Sequence, residues 1–120
     1  MNKVLIVDDE PYVSEVLRHF LDKNGYEVHT VTDGLAATEV VSSFKPEVVI
    51  TDIQMPKMGG QELCAWIHEH EPDFAGLMVV MTSRTDRDLR TWAAQQSDIV
   101  FLEKPLSPRA LIARLNKHFS

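Results

Sequence analysis

The sequence predicts an α/β fold: a (βα)5 chain that forms a doubly wound, parallel, five-stranded sheet. Short β-branched and apolar runs recur along the 120 residues, and segments with apolar side chains at helical spacing follow them. Parallel strands need crossover connections, which are right-handed. The alternation therefore favours an open sheet with the strand order 2-1-3-4-5 and helices on both faces.

The five predicted strands are near-continuous apolar runs, which are typical of parallel strands that are covered on both faces. They lie at Lys3–Val7, Glu27–Val31, Glu47–Thr51, Leu77–Met81 and Ile99–Leu102. Each run is of ordinary strand length, and polar or turn-forming residues separate it from the next segment.

Five further segments have apolar residues at the i, i+3, i+4 spacing of one helix face. They contain the following apolar positions: Val13 to Leu21, Ala37 to Phe44, Leu63 with Ile67, Leu89 with Trp92 and Ala93, and Leu111 to Phe119. Gly25 is placed as the C-cap of the first helix, and Pro46 stops the second. The last helix begins with Ser107 as its N-cap and Pro108 at its first position.

Composition restricts the class of protein. The 18 acidic and 12 basic residues give a formal net charge of −6, which disfavours direct nucleic-acid binding by this chain. Cys64 is the only cysteine, so an intramolecular disulfide is excluded and a cytoplasmic setting is favoured. No apolar stretch is long enough to span a membrane. We therefore expect one small, soluble domain over residues 1–120.

Polar residues that could bind a ligand or take part in a reaction follow four of the five predicted strands. Asp8, Asp9 and Glu10 come after the first strand, and Asp52 ends the third. Thr82 and Ser83 follow the fourth strand, and Lys104 and Pro105 follow the fifth. The ligand site of an open α/β sheet lies beyond the carboxyl ends of its strands, so these side chains should share one pocket.

Three carboxylates in one pocket require a counter-charge. Two such charges about 5 Å apart repel by roughly 3 kcal/mol at an effective dielectric of 20. Hard oxygen ligands in a small, wet pocket suit Mg²⁺, and Lys104 and Thr82 suit phosphoryl oxygens. The pattern indicates metal-assisted phosphoryl transfer with a carboxylate nucleophile, for which Asp52 is the best candidate because Asp8 and Asp9 form an adjacent metal-binding pair.

At these residues the chain resembles a response-regulator receiver domain of two-component signalling, a chemotaxis-regulator-like domain with a flavodoxin-like fold. The resemblance extends from Lys3 to about Phe119. It depends on four motifs in order: Val-Leu-Ile-Val-Asp8-Asp9-Glu10, Asp52-Ile-Gln-Met-Pro56-Lys-Met-Gly-Gly60, Met-Thr82-Ser83 and Phe101-Leu-Glu-Lys104-Pro105-Leu. Each motif is common by itself, but the four together at these spacings are highly specific.

The resemblance implies a role for each matching residue at the phosphoacceptor and the metal. Asp52 would accept phosphate from the phosphohistidine of a histidine kinase or a histidine phosphotransfer protein. Asp9, Asp52 and the backbone carbonyl of Gln54 would ligate Mg²⁺ or Mn²⁺ directly, and Asp8 would act largely through water. Lys104 would contact the phosphate.

The resemblance also implies a conformational switch. Thr82 would move toward the phosphate, and Phe101 would turn inward with it. Gln54 and Arg84 occupy positions that tune dephosphorylation rates, and the Lys104–Pro105 peptide bond is expected to be cis. By composition alone, Phe101 is more readily interpreted as a core residue.

The implied protein is a signalling domain that catalyses only its own Mg²⁺-dependent phosphorylation and slow dephosphorylation. It would control an unknown output, as a stand-alone regulator or as the N-terminal domain of a longer chain. Receivers use the face of the fourth helix, fifth strand and fifth helix for partners and for phosphorylation-dependent homodimers. Gln95-Gln96-Ser97-Asp98 departs from the small residues usual before the fifth strand, and the departure touches that face and not the site.

Three other functions compete with this interpretation. A phosphohydrolase with an aspartate nucleophile generally has a second acid two residues later, where this chain has Gln54. An FMN-binding protein needs a hydroxyl- and glycine-rich loop after the first strand, where Asp8 and Asp9 would repel the phosphate. A degenerate receiver that only docks partners is disfavoured because Asp52, Thr82 and Lys104 are all present.

Overall fold

The computed structural model describes residues 2–55, 57–82, 91–92, 95, 99–104 and 106–119. The described strands are β1 (Lys3–Val7), β2 (Glu27–Val31), β3 (Val48–Asp52), β4 (Leu77–Thr82) and β5 (Ile99–Glu103). They form a parallel five-stranded sheet with the order β2-β1-β3-β4-β5. The predicted fold class and strand order are confirmed, and the strand ends differ from the prediction by one residue at most.

The described helices are α1 (Pro11–Lys23), α2 (Gly34–Phe44), α3 (Gly60–His70) and α4 (Pro108–Phe119). The helix predicted around Leu89 and Ala93 lies mostly outside the described residues, although Thr91 and Trp92 have helical backbone. Among the helices that the structure describes, none has the length and apolarity needed to cross a membrane.

Side chains of successive strand residues point to opposite faces of the sheet and build two hydrophobic clusters. Val4, Ile6, Val48 and Ile50 face the cluster that also contains residues of α1 and α4. The other cluster is formed with residues of α2 and α3, and its strand members are Leu5, Val7, Val49 and Met78. Each helix pair thus covers one face, which accounts for strands that are apolar on both sides.

The Ser107 cap agrees with the sequence prediction. Gly25 lies one residue beyond the C-cap Asn24, and Asp33 provides a further cap. Gly25 adopts a φ of 86° just after α1, a conformation that glycine reaches without strain. At the start of α2, the Asp33 carboxylate accepts a hydrogen bond of 2.8 Å from the Ala36 N–H. The Ser107 hydroxyl accepts the Ala110 N–H at 3.3 Å before α4. These caps determine where each helix begins or ends.

The loop between β3 and α3 is fastened at both of its ends. At its beginning, the Gly60 N–H donates to the Ile53 carbonyl over 3.0 Å. Nearer its end, the Met58 carbonyl accepts the Gly34 N–H over 3.1 Å, so the loop is joined to the first residue of α2. A Cβ atom at position 34 would overlap Met58, and only glycine permits this close approach.

Candidate functional site

The strand register places Asp8 beside Asp52. Val7 is paired with Thr51 across β1 and β3. The residue that follows each of them is an aspartate, so Asp8 lies opposite Asp52. Both positions continue the alternation of Ile6 and Ile50, whose side chains face α1 and α4. The sheet therefore brings the two carboxylates together from residues that are far apart in sequence.

Lys104, which follows β5, connects three acidic side chains. Its Nζ atom lies 3.0 Å from Asp52 Oδ2, 3.2 Å from Asp8 Oδ2 and 2.8 Å from Glu10 Oε1. β4 separates β3 from β5 in the sheet, so the lysine reaches Asp52 and Asp8 across an intervening strand.

Backbone N–H groups bind the Oδ1 atoms of Asp8 and Asp52, the carboxylate oxygens that do not contact Lys104. Asp8 Oδ1 accepts the Glu10 N–H at 2.8 Å, and Asp52 Oδ1 accepts the Ile53 N–H at 2.7 Å. In both aspartates Oδ1 is bound to the backbone and Oδ2 is bound to Lys104. The carboxylates are thereby oriented, with their Oδ2 atoms converging on one ammonium group.

The polar groups of the site are graded from enclosed to exposed. The Asp8 side chain is 0% exposed, and the side chains of Asp52 and Lys104 are 11% and 13% exposed. The Glu10 side chain is 58% exposed, and Asp9 is exposed as well. Asp8 thus forms the enclosed base of the site, and Asp9 and Glu10 form its exposed rim.

The pKa values of Asp8 and Lys104 are both raised. The shift favours the neutral form of the aspartate and the charged form of the lysine. Burial raises the pKa of Asp8, although the Glu10 N–H and the Lys104 ammonium partly offset it. For Lys104, burial by itself would lower the pKa. Hydrogen bonds to Glu10 and Asp52, together with the charges of Asp52 and Asp8, outweigh that effect and raise the lysine pKa above its usual range. The lysine is therefore firmly cationic at neutral pH.

The donor set of the pocket fits a hard divalent cation. Asp8, Asp9, Glu10 and Asp52 each offer a carboxylate oxygen, and these atoms all lie within 4.8 Å of one another. Carboxylate oxygens are the ligands that Mg²⁺ and Mn²⁺ prefer, and the exposed rim leaves room for metal-bound water. The side chains present are thus compatible with such an ion.

The remaining predicted site residues are only partly described. Thr82 ends β4, and its backbone is paired with Glu103, the residue before Lys104. Gln54 is exposed two residues after Asp52, and Phe101 is half-buried on β5. Arg84 and the Lys104–Pro105 peptide bond lie outside the described residues, as do Ser83 and 96–98. The switch, rate-tuning and cis-peptide assignments stay predictions.

Glu10 makes a contact that the sequence does not reveal. The residue belongs to the acidic run after β1, but neither the motifs nor the resemblance assigns it a role. In the structure it forms the shortest of the three ion pairs described for Lys104. The available signal is its position directly after the aspartate pair, but its partner is a lysine 94 residues away.

A doubly wound parallel sheet with an acidic cluster and a partly buried lysine at the carboxyl ends of its strands defines the class of flavodoxin-like α/β domains with a polar site at the strand ends. Comparison with known families gives the particular family. The family model described as "Response regulator receiver domain" matches residues 4–116. The chain belongs to this family, which consists of signalling domains and is not a classical enzyme family.

Curated relatives support the same assignment. The chain is 30% identical over 113 residues to the alkaline phosphatase synthesis transcriptional regulatory protein PhoP of Bacillus subtilis, a match that covers 94% of this chain and 46% of PhoP. It is 32% identical to the response regulator MprA of Mycobacterium ulcerans, covering 94% of this chain and 48% of MprA. The chain therefore spans about half the length of the curated relatives that it matches.

Solved structures show the same fold. The chemotaxis response regulator CheY4 of Vibrio cholerae superposes with a TM-score of 0.87 at 28% identity, covering 98% of both chains. The BeF3-activated N-terminal receiver domain of Klebsiella pneumoniae RstA gives a TM-score of 0.86 at 28% identity, covering 98% of this chain and 97% of that one. The agreement extends over nearly the whole sheet and its helices.

Proposed function

We propose that this chain is a phosphoacceptor in a two-component phosphorelay and that Asp52 receives the phosphoryl group. The observation that carries the proposal is the geometry of Asp52. Its Oδ1 is held by the Ile53 N–H at 2.7 Å, and its Oδ2 lies 3.0 Å from the Lys104 ammonium. A carboxylate that is oriented in this way, beside a fixed cation and partly accessible, is suited to attack phosphorus.

The electrostatics of the pocket support a Mg²⁺ cofactor, with Mn²⁺ as a substitute. Among the described residues, four carboxylates lie close together, and three of them pair with one ammonium group. Two carboxylate charges 4.8 Å apart repel by about 3.5 kcal/mol at an effective dielectric of 20, so a divalent cation relieves a large repulsion. Asp8, Asp9, Asp52 and the Gln54 carbonyl would hold it, and its chemistry there is to neutralise phosphoryl charge.

The transfer step uses the lone pair of Asp52 Oδ2 that does not accept from Lys104. An O–P bond forms to the phosphoryl group of the donor as the bond from phosphorus to the donor nitrogen or oxygen breaks. The donor atom keeps that electron pair and takes a proton where it needs one, and Asp52 becomes a mixed anhydride. The Lys104 ammonium stabilises the negative charge that develops on the phosphoryl oxygens. This stabilisation does not require proton transfer.

The donor is a histidine kinase or a histidine phosphotransfer protein, and the signal leaves through a change of conformation. Thr82 and Phe101 are the proposed switch residues. Thr82 is the last residue of β4, and Phe101 is half-buried on β5, the strand that leads to Lys104. Phosphorylation adds about −1.5 to −2 charges, which is sufficient to bias a pre-existing equilibrium. An output domain or a target protein in the cytoplasm receives the signal, and Gln54 and Arg84 set its lifetime.

The proposal is tested by phosphorylation with acetyl phosphate and MgCl2, followed by intact mass spectrometry at neutral pH. We expect one phosphoryl adduct that hydroxylamine removes and that EDTA prevents. Asp52→Asn should abolish the adduct. Asp73→Asn is the matched control, because Asp73 is an exposed aspartate before β4, at the opposite edge of the sheet. An adduct that persists in Asp52→Asn, or no adduct in the unmodified protein, would overturn the proposal.

A further inference from the structure

The ammonium group of Lys104 is saturated in this structure. A lysine ammonium has three N–H donors and no acceptor. Its three acceptors are Asp8 Oδ2, Asp52 Oδ2 and Glu10 Oε1, all between 2.8 and 3.2 Å away. A phosphoryl oxygen that binds Lys104 must therefore displace one of these carboxylates.

The three carboxylates differ in what their displacement would cost. Asp8 has a fully enclosed side chain, and a buried carboxylate that loses its counter-charge is strongly destabilised. Asp52 is held by the Ile53 N–H at Oδ1, so its carboxylate is not displaced when phosphorus approaches Oδ2. Glu10 is 58% exposed, and water can solvate its carboxylate at once when the ion pair opens. The exchangeable partner is Glu10.

We propose that Glu10 is a positioning residue that occupies the third donor of Lys104 in the unphosphorylated protein and is replaced there by a phosphoryl oxygen. The inference rests on the proposed function, because it concerns the step in which Asp52 gains phosphate. Glu10 holds the lysine toward the rim of the pocket and also repels the incoming anion. Both effects slow phosphorylation, so Glu10 limits the response to small phosphodonors.

The test compares the phosphorylation rates of Glu10→Gln, Glu39→Gln and the unmodified protein with acetyl phosphate at saturating MgCl2. Glu39 is an exposed residue in the middle of α2 and provides the same change in net charge away from the pocket. We expect Glu10→Gln to react about threefold faster, which corresponds to about 0.65 kcal/mol at 1.36 kcal/mol per tenfold change. Glu39→Gln should react at the rate of the unmodified protein.

Two further measurements separate this role from a merely structural one. Because the effect is electrostatic at a solvent-exposed group, the rate advantage of Glu10→Gln should shrink as NaCl is raised from 0.05 to about 1 M. Glu10→Asp, which keeps the charge, should return the rate toward that of the unmodified protein. The urea unfolding midpoints of the three variants should match within error, since Glu10 is exposed.

The outcomes distinguish the two proposals. If the unmodified protein is phosphorylated on Asp52 but Glu10→Gln is no faster than Glu39→Gln, the assignment of Glu10 is wrong and the proposed function stands. A faster Glu10→Gln whose advantage is independent of salt would also overturn it. If the unmodified protein forms no adduct under any of these conditions, the phosphoacceptor function fails and the role of Glu10 fails with it.

Discussion

Gly60 lies directly against the backbone of Asp52. A Cβ atom on Gly60 would overlap the carbonyl oxygen of Asp52 and would approach Ile53 as well. The first residue of α3 is therefore in contact with the main chain of the proposed phosphoacceptor. Backbone atoms cannot rotate away as a flexible side chain can, so this contact fixes where β3 ends relative to α3.

Gly60→Ala should destabilise the protein and disturb its site together. The added methyl group must push the Asp52 backbone or the start of α3, which costs about 1 to 3 kcal/mol in the free energy of unfolding. We also expect slower phosphorylation of Asp52, because the carboxylate moves with its backbone. Urea unfolding and acetyl phosphate kinetics measure the two effects. Gln61→Ala, a change at the neighbouring half-buried residue, should leave both nearly unaltered.

Lys104→Met should lower stability without metal and strengthen metal binding. The substitution keeps an unbranched apolar side chain of nearly the same length but leaves Asp8 and Asp52 without a counter-charge, so we expect a loss on the order of 2 kcal/mol in EDTA. Without the competing cation, Mg²⁺ should bind on the order of tenfold more tightly.

Chemical unfolding in EDTA and calorimetric titration with MgCl2 alone check the two effects of Lys104→Met. Lys23→Met, a change at the exposed end of α1, is the control. Weaker Mg²⁺ binding in Lys104→Met would show that the lysine is not the cation that balances the cluster.

The buried carboxyl of Asp8 should make stability depend on pH. Burial raises the pKa of Asp8 in the folded protein above 3.8, so the folded state favours the protonated carboxyl. Its contribution to stability is thus fully present below pH 3.8 and is lost as pH rises through the raised pKa. Asp8→Asn removes this loss. The stability of Asp8→Asn relative to the unmodified protein should therefore increase with pH above about 4 and then level off.

Denaturant unfolding in EDTA between about pH 3.5 and about pH 7.5 measures this trend for Asp8→Asn. The exposed Asp73 provides the comparison, since Asp73→Asn should show no such divergence. A relative stability of Asp8→Asn that falls with rising pH would mean that Lys104 stabilises the ionised Asp8 more than burial destabilises it.

The contact between Tyr26 and Asn116 should stabilise the chain end. The Tyr26 hydroxyl donates to Asn116 Oδ1 over 2.8 Å and ties α4 to the residue before β2. Tyr26→Phe should cost about 1 kcal/mol in the free energy of unfolding. Tyr12→Phe is a close control, because Tyr12 is 81% exposed.

The same tyrosine predicts a change at alkaline pH. Burial raises the pKa of Tyr26 above 10.0 in the folded protein. Its contribution to stability is present below pH 10.0 and lost as pH rises through the raised pKa, so the stability of Tyr26→Phe should fall less steeply at higher pH. Equal pH profiles for Tyr26→Phe and Tyr12→Phe would contradict the burial of the Tyr26 hydroxyl.

The architecture could be predicted from the sequence because the determining signals are local. The run Val4 to Val7 is apolar on both faces, which by itself indicates a covered parallel strand. The predicted cap at Ser107 likewise depends on a side chain that binds an amide three residues away. The position of the pocket followed from the strand order and the rule for carboxyl ends.

The details of the site could not be predicted, because they depend on long side chains from distant strands. Whether Lys104 reaches Asp8, Glu10 or both is decided by its path across β4, which no spacing in the sequence encodes. The contact of Gly34 with Met58 is similar, since glycine also occurs at helix starts that make no close contact with another loop. Motifs indicate which residues belong to a site, but only the packed structure shows which of them are in contact.

The loop that follows Asp52 is hydrogen-bonded to the first residues of two helices. Its first residue accepts a hydrogen bond from the start of α3, and Met58 accepts one from the start of α2. The ion pair between Lys57 and Asp33, 3.8 Å apart, adds a second tie to α2. A displacement of the Asp52 backbone would therefore strain the beginnings of two neighbouring helices at once, and both of these helices cover the same face of the sheet.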